Sequence, residues 1–341
     1  MQATDRNAQH HDEQATTMRA IVQDSYGTAD VLRSGTVDVP APGDGEVLVR
    51  VRAAGLDRGT WHLMTGLPRM ARLMGNGLRT PKRRVPGLDL SGTVVSVGAG
   101  VTRFSPGDEV YGIGNGSFAE YAVAKEAKLA RRPANLTFEQ AAVVPVSGLT
   151  ALQAIRDTGR VQPGQSVLVT GASGGVGSYA VQIASARGAE VTAVCSAAKH
   201  DLVRSLGAVH VIDYTQEHFA DRGQHWDVII DINGSTGVRR LARALTPRGT
   251  VAIVGGENGG TWTGGFLGRP LRAMLLSPFT RKRLAMVIAK EKGTDLEELT
   301  TMIEAGQVTP AVDSVFALED AADAMRRLEA GLVRGKVAIS I

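Results

Sequence analysis

Length and composition restrict the class of protein. The chain has 341 residues, a length typical of about two domains. Hydrophobic residues make up 43% and charged residues 21%, as in an ordinary soluble globular protein. The single cysteine, Cys195, excludes an intrachain disulfide and any zinc site built on several cysteines. A net charge of +4 favours anionic partners, but nucleic acid is not expected, because aromatic residues are only 4% and show no interleaved basic pattern.

The N-terminal residues are polar. Residues 1–17 lack the apolar core of a secretory signal, and we expect them to form a disordered tail. No run approaches the ~18 consecutive apolar residues of a transmembrane helix, so we expect no stable membrane insertion. The predicted location is cytoplasmic.

The first third of the chain shows the alternation of β-strands. MRAIVQD, EVLVRVRAAGLD and LSGTVVSVGAG are rich in valine and are separated by turn sequences that contain proline and glycine. This pattern predicts a β-rich domain with few helices, ending near Arg132. Residues 66–84 break the alternation with six basic residues among leucines and methionines. The sequence predicts that this segment forms a surface loop or a short helix, or alternatively a mobile flap over an apolar substrate.

The rest of the chain alternates strands with helices. SVLVT, EVTAVC, VHVI, WDVIID and TVAIVG read as strands, and a helix is expected from about Val176 to Arg187. Further helices are expected through LVRSL and RRLARAL. This order predicts a parallel α/β sheet. Residues 269–293 are basic and apolar, and the chain closes with a helix around 321–330 and the strand KVAISI.

The strongest local signal is the glycine-rich sequence VLVTGASGGVG. Three glycines spaced three apart lie between a strand and a helix, where they allow a tight turn, close approach of a pyrophosphate and close helix–strand packing. The start of the helix offers free N–H groups and a partial positive charge to the phosphates. The residues predicted to bind a dinucleotide in this turn are Gly171, Ser173, Gly174, Gly175, Val176 and Gly177.

The end of the second strand predicts which dinucleotide binds. A carboxylate at this position accepts hydrogen bonds from the ribose of NAD, but Val194, Cys195 and Ser196 are not acidic. A carboxylate would repel the 2′-phosphate of NADPH, whereas the hydroxyl of Ser196 and the ammonium of Lys199 suit it. The sequence therefore favours NADPH as cofactor.

These motifs, together with SLGAVHVIDY, GDEVYG, SGLTALQAI and RGKVAISI, resemble the medium-chain dehydrogenase/reductase superfamily. The resemblance extends from Met18 to Ile341 and is greatest to the zinc-independent quinone oxidoreductase and enone reductase branch. It implies an α/β protein with a β-rich GroES-like catalytic domain at 18–132 and 294–341. A Rossmann domain with a doubly wound parallel sheet is then inserted at 133–293. Reduction of a quinone or an α,β-unsaturated carbonyl by hydride from NADPH is the implied activity.

The resemblance also assigns positions within the site. The three catalytic zinc ligands of the alcohol dehydrogenases correspond to Asp57, Leu88 and Val146, and the latter two cannot bind a metal, so no metal is expected. The zinc-free branch often reads Asn-Pro-x-Asp where this chain reads Asp57-Arg58-Gly59-Thr60. The resemblance further implies that the nicotinamide, the adenosine ribose phosphate and the nicotinamide ribose are contacted by Thr150, by Tyr214, and by Val254 and Gly255, respectively.

Without zinc, the developing negative charge on the substrate oxygen needs another donor. The candidates for the chemistry are Asp57, Thr60, His62 and Tyr111, and Trp61 and Met64 are candidates for an apolar substrate wall. Two alternatives stay open: a reductase of simple ketones or aldehydes, and a non-catalytic NADPH-binding protein that docks residues 269–293 on an anionic membrane. A homodimer is also expected, because members of this family commonly pair through an edge of the Rossmann sheet. The sequence TVAIVGGENGGTWTG is the candidate edge.

Overall fold

The computed structural model describes residues 16–255 and 281–341, together with Gly268 and Ala273. The strands in these residues are β1 (Thr17–Val22), β2 (Arg33–Asp38), β3 (Glu46–Leu56), β4 (Asp89–Val97), β5 (Glu109–Ile113), β6 (Tyr121–Lys125), β7 (Leu129–Arg131), β8 (Ser166–Thr170), β9 (Glu190–Cys195), β10 (His210–Asp213), β11 (Trp226–Asp231), β12 (Leu245–Ile253), β13 (Arg283–Met286), β14 (Val312–Ala317) and β15 (Lys336–Ser340). The α-helices are α1 (Arg58–Thr65), α2 (Arg69–Ala71), α3 (Phe138–Ala142), α4 (Pro145–Gln153), α5 (Gly175–Ala186), α6 (His200–Ser205), α7 (Val238–Arg243), α8 (Gly293–Glu304) and α9 (Ala321–Glu329).

One sheet combines strands from both ends of the chain. Its order is β14-β15-β3-β4-β5-β7, with β6 also paired to β3. The strand β15 pairs antiparallel with β3, so that Val337 lies opposite Leu56. Helix α3 packs against β3 and β4. The GroES-like unit therefore includes the C-terminal strand as a central member.

The second sheet is parallel throughout. Its order is β10-β9-β8-β11-β12-β13, the arrangement of a doubly wound Rossmann sheet. The strand β8 lies in the middle, and the order reverses between β8 and β11. Ligands of such sheets bind at the carboxyl ends of the strands next to this reversal. The glycine turn after β8 lies at that place.

A continuous apolar core joins the two sheets. Tyr111 of β5, Leu152 of α4, Tyr179 of α5 and Leu299 of α8 belong to one buried cluster, and each is at most 2% exposed. Helix α4 packs against both α5 and α8. The relative position of the two sheets is therefore set by packed side chains.

The strands predicted from valine-rich runs are confirmed, with β9 and β11 at the predicted residues. The glycine-turn helix begins at Gly175, one residue earlier than predicted. Helices α1, α3, α4 and α8 were missed. A capping box between Thr137 and Gln140 starts α3, and its Thr-x-x-Gln pattern is a signal that the sequence reading overlooked.

Two other segments differ from expectation or lie outside the described residues. The strand β12 is paired on both sides, by β11 and β13, so its sequence TVAIV is not the sheet edge. That prediction was wrong, and β13 is the described edge strand on this side. Residues 256–267, which complete the predicted edge sequence, and most of 269–280 lie outside the described residues. Within 66–84, the chain forms α2 and a π-turn at Arg72–Asn76.

Candidate cofactor and active site

The glycine turn has the geometry needed for a pyrophosphate. Gly171 has a φ of 66°, and a side chain at Gly177 would bring its Cβ to 2.1 Å from the carbonyl oxygen of Gly171. Gly174 is the N-cap of α5, and a Cβ there would have only that same carbonyl oxygen nearby, at 3.4 Å. Gly177 is therefore required by the packing of the turn, whereas Gly174 leaves space in front of the helix N-terminus.

The candidate 2′-phosphate site lies at the end of β9. Ser196 is half-buried, and Lys199 follows in a short 3₁₀ turn. The ammonium of Lys199 donates to the carbonyl oxygens of Gly331, at 3.2 Å, and Val333, at 2.8 Å. Partial burial lowers the pKa of Lys199. Lys199 therefore links the Rossmann sheet to the segment that precedes β15. The sequence alone did not predict this contact.

Tyr214 follows β10 and lies beside the same strand end. In the parallel pairing of β10 with β9, Asp213 lies opposite Cys195. The next residues along the two strands, Tyr214 and Ser196, therefore lie side by side where the strands end. Tyr214 is 60% exposed, so its side chain is largely accessible. The Asp213 carboxylate accepts hydrogen bonds from the backbone and hydroxyl of Thr215, which lower its pKa.

The candidate nicotinamide end is formed by α4 and by the loops after β11 and β12. Thr150 of α4 is half-buried, and its hydroxyl donates to the carbonyl oxygen of Val146 at 2.7 Å. Val254 and Gly255 both donate their N–H groups to the carbonyl oxygen of Asp231. A Cβ at Gly255 would lie 1.8 Å from the carbonyl oxygen of Ile232, so only glycine fits this close approach.

Asp57 caps helix α1. Its Oδ1 accepts the N–H of Thr60 at 2.9 Å, and its Oδ2 accepts the Thr60 hydroxyl at 3.2 Å. Asp57 is 5% exposed and Thr60 is fully buried. Both side chains therefore stabilise the helix start. In this conformation, Thr60 cannot donate a proton to a substrate.

Tyr111 does not match its expected role. Its ring is fully buried, and its hydroxyl donates to the carbonyl oxygen of Leu296 at 2.7 Å and lies 2.9 Å from the Thr300 hydroxyl. Burial strongly raises its pKa. Tyr111 connects β5 to α8 and does not reach a substrate.

His62 is the partly exposed member of the donor candidates. Its Nδ1 lies 2.7 Å from the carbonyl oxygen of Leu67, so this nitrogen carries the proton in the neutral ring. Its ring contacts Trp61 edge-on, with centroids 4.9 Å apart.

The two candidates for an apolar substrate wall are engaged elsewhere. Met64 is fully buried in the core that includes α9, so it cannot line an open site and that expectation is corrected. The indole nitrogen of Trp61 donates to Glu329 at 2.9 Å, and Arg58 stacks over its ring. Trp61 therefore connects α1 to α9.

Two buried charged residues were missed by the sequence reading. Asp89 begins β4 and Lys336 begins β15, and they are 0% and 2% exposed. The Lys336 Nζ lies 3.5 Å from Oδ2 of Asp89. A lysine or an aspartate in a strand that is mainly apolar is the signal that could have found them.

The chain is similar to known oxidoreductases over nearly its whole length. Residues 43–134 match the family model of the alcohol dehydrogenase GroES-like domain, and residues 206–339 match a model described as zinc-binding dehydrogenase. A chloroplastic quinone oxidoreductase of Triphysaria versicolor is 33% identical over 94% of this chain and 98% of its own. This chain belongs to the medium-chain dehydrogenase/reductase superfamily, in its quinone oxidoreductase and enone reductase branch.

Two further proteins agree with this assignment. The NADPH-dependent alkenal/one oxidoreductase of Arabidopsis thaliana, also chloroplastic, is 32% identical over 94% of this chain and 79% of its own. The structure of the quinone oxidoreductase from Coxiella burnetii superposes with a TM-score of 0.84 at 27% identity, covering 95% of this chain and 99% of that one. Within the described residues, no helix is long and apolar enough to span a membrane.

Two of the three positions that bind the catalytic metal in zinc-containing members of this superfamily carry apolar residues in this chain. Leu88 and Val146 are half-buried and pack on the central core cluster. Both oxygens of Asp57 are occupied by Thr60. These side chains do not fit a catalytic zinc ion, which needs three protein ligands.

Proposed function

We propose that this protein is an oxidoreductase that uses NADPH to reduce a quinone or an α,β-unsaturated carbonyl compound, without a metal ion. The observation that carries the proposal is the glycine turn at α5 beside a strand end, Val194–Ser196, that has no carboxylate. The names of the relatives, quinone oxidoreductase and NADPH-dependent alkenal/one oxidoreductase, support the class of substrate.

The residues around the Rossmann sheet fit a dinucleotide. The free space at Gly174 and the N–H groups of α5 suit the pyrophosphate, and Ser196, Lys199 and Tyr214 suit a phosphorylated ribose. Thr150, Val254 and Gly255 would hold the nicotinamide ribose. When bound, NADPH supplies the hydride.

The chain's own residues bind and orient the substrate. Leu88 and Val146 present apolar side chains at the catalytic positions, which suits a hydrophobic quinone or enone. Reduction adds one hydride and one proton to the substrate. Because Nδ1 of His62 already donates to Leu67, His62 gives a proton from Nε2 only as an imidazolium. We propose that His62 or a water molecule supplies this proton.

The test of the activity is oxidation of NADPH, followed by its absorbance, with 9,10-phenanthrenequinone and with 1-octen-3-one. We expect turnover of at least one, unchanged by chelators and without stoichiometric zinc in elemental analysis. Turnover of simple ketones or aldehydes alone would indicate an alcohol dehydrogenase-type reductase instead. Tight NADPH binding without any turnover would indicate a non-catalytic binding protein.

The cofactor preference has its own measurement, the dissociation constants of NADPH and NADH. We expect NADPH to bind at least about tenfold more tightly, which corresponds to roughly 1.4 kcal/mol. Ser196→Asp should shift the preference towards NADH, because its carboxylate repels the 2′-phosphate and accepts from a ribose hydroxyl. Lys199→Ala should weaken NADPH binding more than NADH binding. If the variant lost affinity for NADPH and NADH equally, Lys199 would have only a structural role, through its hydrogen bonds to the carbonyl oxygens of Gly331 and Val333.

We also propose a cytoplasmic homodimer that pairs through β13. This strand is short, and the nearby Ile288 is 76% exposed. An unpaired strand edge is a template for pairing with a second copy. A monomeric mass in light scattering at micromolar concentration would contradict this arrangement.

A further inference from the structure

Segment 66–84, which connects α1 to β4, exposes two leucines to water. Leu73 is 64% exposed and Leu78 is 67% exposed, more than any other leucine in the part of the chain that the structure describes. Single exposed apolar side chains are ordinary on a protein surface. Two such leucines within six residues are not, and exposed apolar groups that lie together mark surfaces that bind a partner.

The same segment carries a local excess of positive charge. It has six basic residues and no acidic one. Arg84 pairs with Asp24, and Arg72 donates to the carbonyl oxygens at the end of α1. The other four basic side chains are exposed: Arg69, Arg79, Lys82 and Arg83. The partner that complements this surface is therefore both apolar and negatively charged.

Contacts with the rest of the fold hold the segment in place. The hydroxyl of Tyr26 donates a hydrogen bond shared between the carbonyl oxygens of Asn76, at 2.6 Å, and Gly77, at 2.8 Å. Arg72 lies over the same ring, 4.2 Å from its centroid. Gly77 has a φ of 100°, and a Cβ there would lie 2.1 Å from the carbonyl oxygen of Thr80. The turn between the two leucines is therefore specified by the fold.

The segment adjoins the candidate site at both of its ends. It begins at Gly66, the C-cap of α1, and Nε of Arg72 donates to the carbonyl oxygen of Gly66 at 2.8 Å. Nδ1 of His62 lies 2.7 Å from the carbonyl oxygen of Leu67. Four residues after the segment ends, the chain reaches Leu88. A partner bound to segment 66–84 would therefore lie beside the elements that carry the substrate end of the candidate site.

We propose that segment 66–84 is a docking surface for the anionic face of a lipid bilayer, and that the substrate is a lipid-soluble quinone or enone taken from that bilayer. A bilayer accepts both kinds of side chain at once. Leu73 and Leu78 enter the boundary of the acyl chains, while the exposed basic groups stay with the anionic headgroups. The substrate class rests on the proposed function, whereas the docking surface does not.

The first test is co-sedimentation of the full chain with vesicles of phosphatidylcholine, alone or mixed with phosphatidylglycerol. We expect at least about tenfold tighter binding to the anionic vesicles, weakening as salt is added. The double variants Leu73→Ser, Leu78→Ser and Arg79→Gln, Lys82→Gln should each bind these vesicles at least about fivefold more weakly. Their unfolding temperatures should equal that of the wild type, because all four side chains are exposed.

A matched control separates this surface from the net charge of the protein. Arg239→Gln, Arg243→Gln removes two charges from exposed positions on α7 and should change vesicle binding by less than twofold. Equal weakening by this control, or equal binding of the wild type to neutral and anionic vesicles, would overturn the inference. Binding of polyglutamate without binding of vesicles would indicate an acidic protein as the partner, and would also overturn it.

The second test compares two routes of substrate delivery. NADPH oxidation is measured with a long-tailed isoprenoid quinone embedded in anionic vesicles and with 9,10-phenanthrenequinone in solution. Arg79→Gln, Lys82→Gln should slow the first reaction at least about fivefold and change the second by less than twofold. Equal slowing of both would contradict delivery from the bilayer. Vesicle binding without oxidation of any quinone or enone would overturn the proposed function and the substrate class, but not the docking surface.

Discussion

The two sides of the candidate site are built differently. On the Rossmann side, the site consists of backbone groups at Gly171–Gly177 and at the loops after β11 and β12, and two of its glycines have no room for a side chain. On the GroES-like side, the candidate groups are side chains, and most of them already have partners: Asp57 with Thr60, Tyr111 with Leu296, and Trp61 with Glu329. Backbone sites are specified by local sequence, whereas side-chain sites depend on what packs around them.

The dependence of the free energy of unfolding on pH tests Asp89, which lies between these two sides of the site. Its carboxyl faces Lys336, Asp57 and Tyr179. Its pKa is raised from 3.8 to about 8, so the fold favours the protonated form. Asp89 therefore does not lower the free energy of unfolding below about pH 4. Between about pH 4 and about pH 8 it lowers this free energy by up to about 1 kcal/mol per pH unit.

The measurement is the free energy of unfolding of the wild type and of the double variant Asp89→Asn, Lys336→Met at several pH values between 5 and 8. The difference between the two proteins should change steadily with pH, with the wild type losing stability as pH rises. A constant difference would show that Asp89 does not titrate in this range.

The glycine turn allows packing and binding to be separated. Gly177→Ala should destabilise the protein by about 3 kcal/mol, because its Cβ meets the carbonyl oxygen of Gly171 at 2.1 Å. Gly174→Ala has room for its Cβ and should stay folded, while NADPH binds at least tenfold more weakly. Gly237→Ala, where nothing lies within 4 Å, is the control. Equal unfolding temperatures for Gly177→Ala and this control would contradict the packing requirement.

Asp57 can be examined by two substitutions, one that removes its hydrogen bonds and one of the same size that keeps an acceptor. Asp57→Ala removes the cap of α1 and leaves the buried Thr60 hydroxyl without its acceptor, which should cost about 2 kcal/mol. Asp57→Asn keeps an acceptor and should cost less than about 1 kcal/mol. We expect the asparagine variant to retain most of its kcat. A tenfold loss of kcat in a folded asparagine variant would instead assign the carboxylate a part in the chemistry.

Tyr111→Phe should have the smallest effect. It removes the hydrogen bonds to Leu296 and Thr300, at a cost of about 1 kcal/mol in unfolding free energy. Because the ring does not reach the site, kcat and KM should be unchanged. A large fall in kcat at wild-type stability would restore Tyr111 as a proton donor.

Most of the Rossmann side followed from the sequence. The glycine spacing and the strand runs located the turn and most of the parallel sheet, because their causes are local. The burial of Met64 and Tyr111 did not, since α9 packs with Met64 and α8 contacts Tyr111, and both helices lie more than a hundred residues away along the chain. The Lys336–Asp89 pair was missed for the same reason.

The pairing of β15 with β3 also bears on how the chain acquires its fold. Leu56 pairs with Val337, which is synthesised much later than the rest of β3 and its other neighbours. The parallel sheet at 166–286, by contrast, has all its described strands available earlier. Contacts of long sequence separation form slowly, and chains fold their local units first. During synthesis, the inserted unit is then expected to form before the unit that surrounds it, and loss of β15 would leave β3 without one of its neighbours in the sheet.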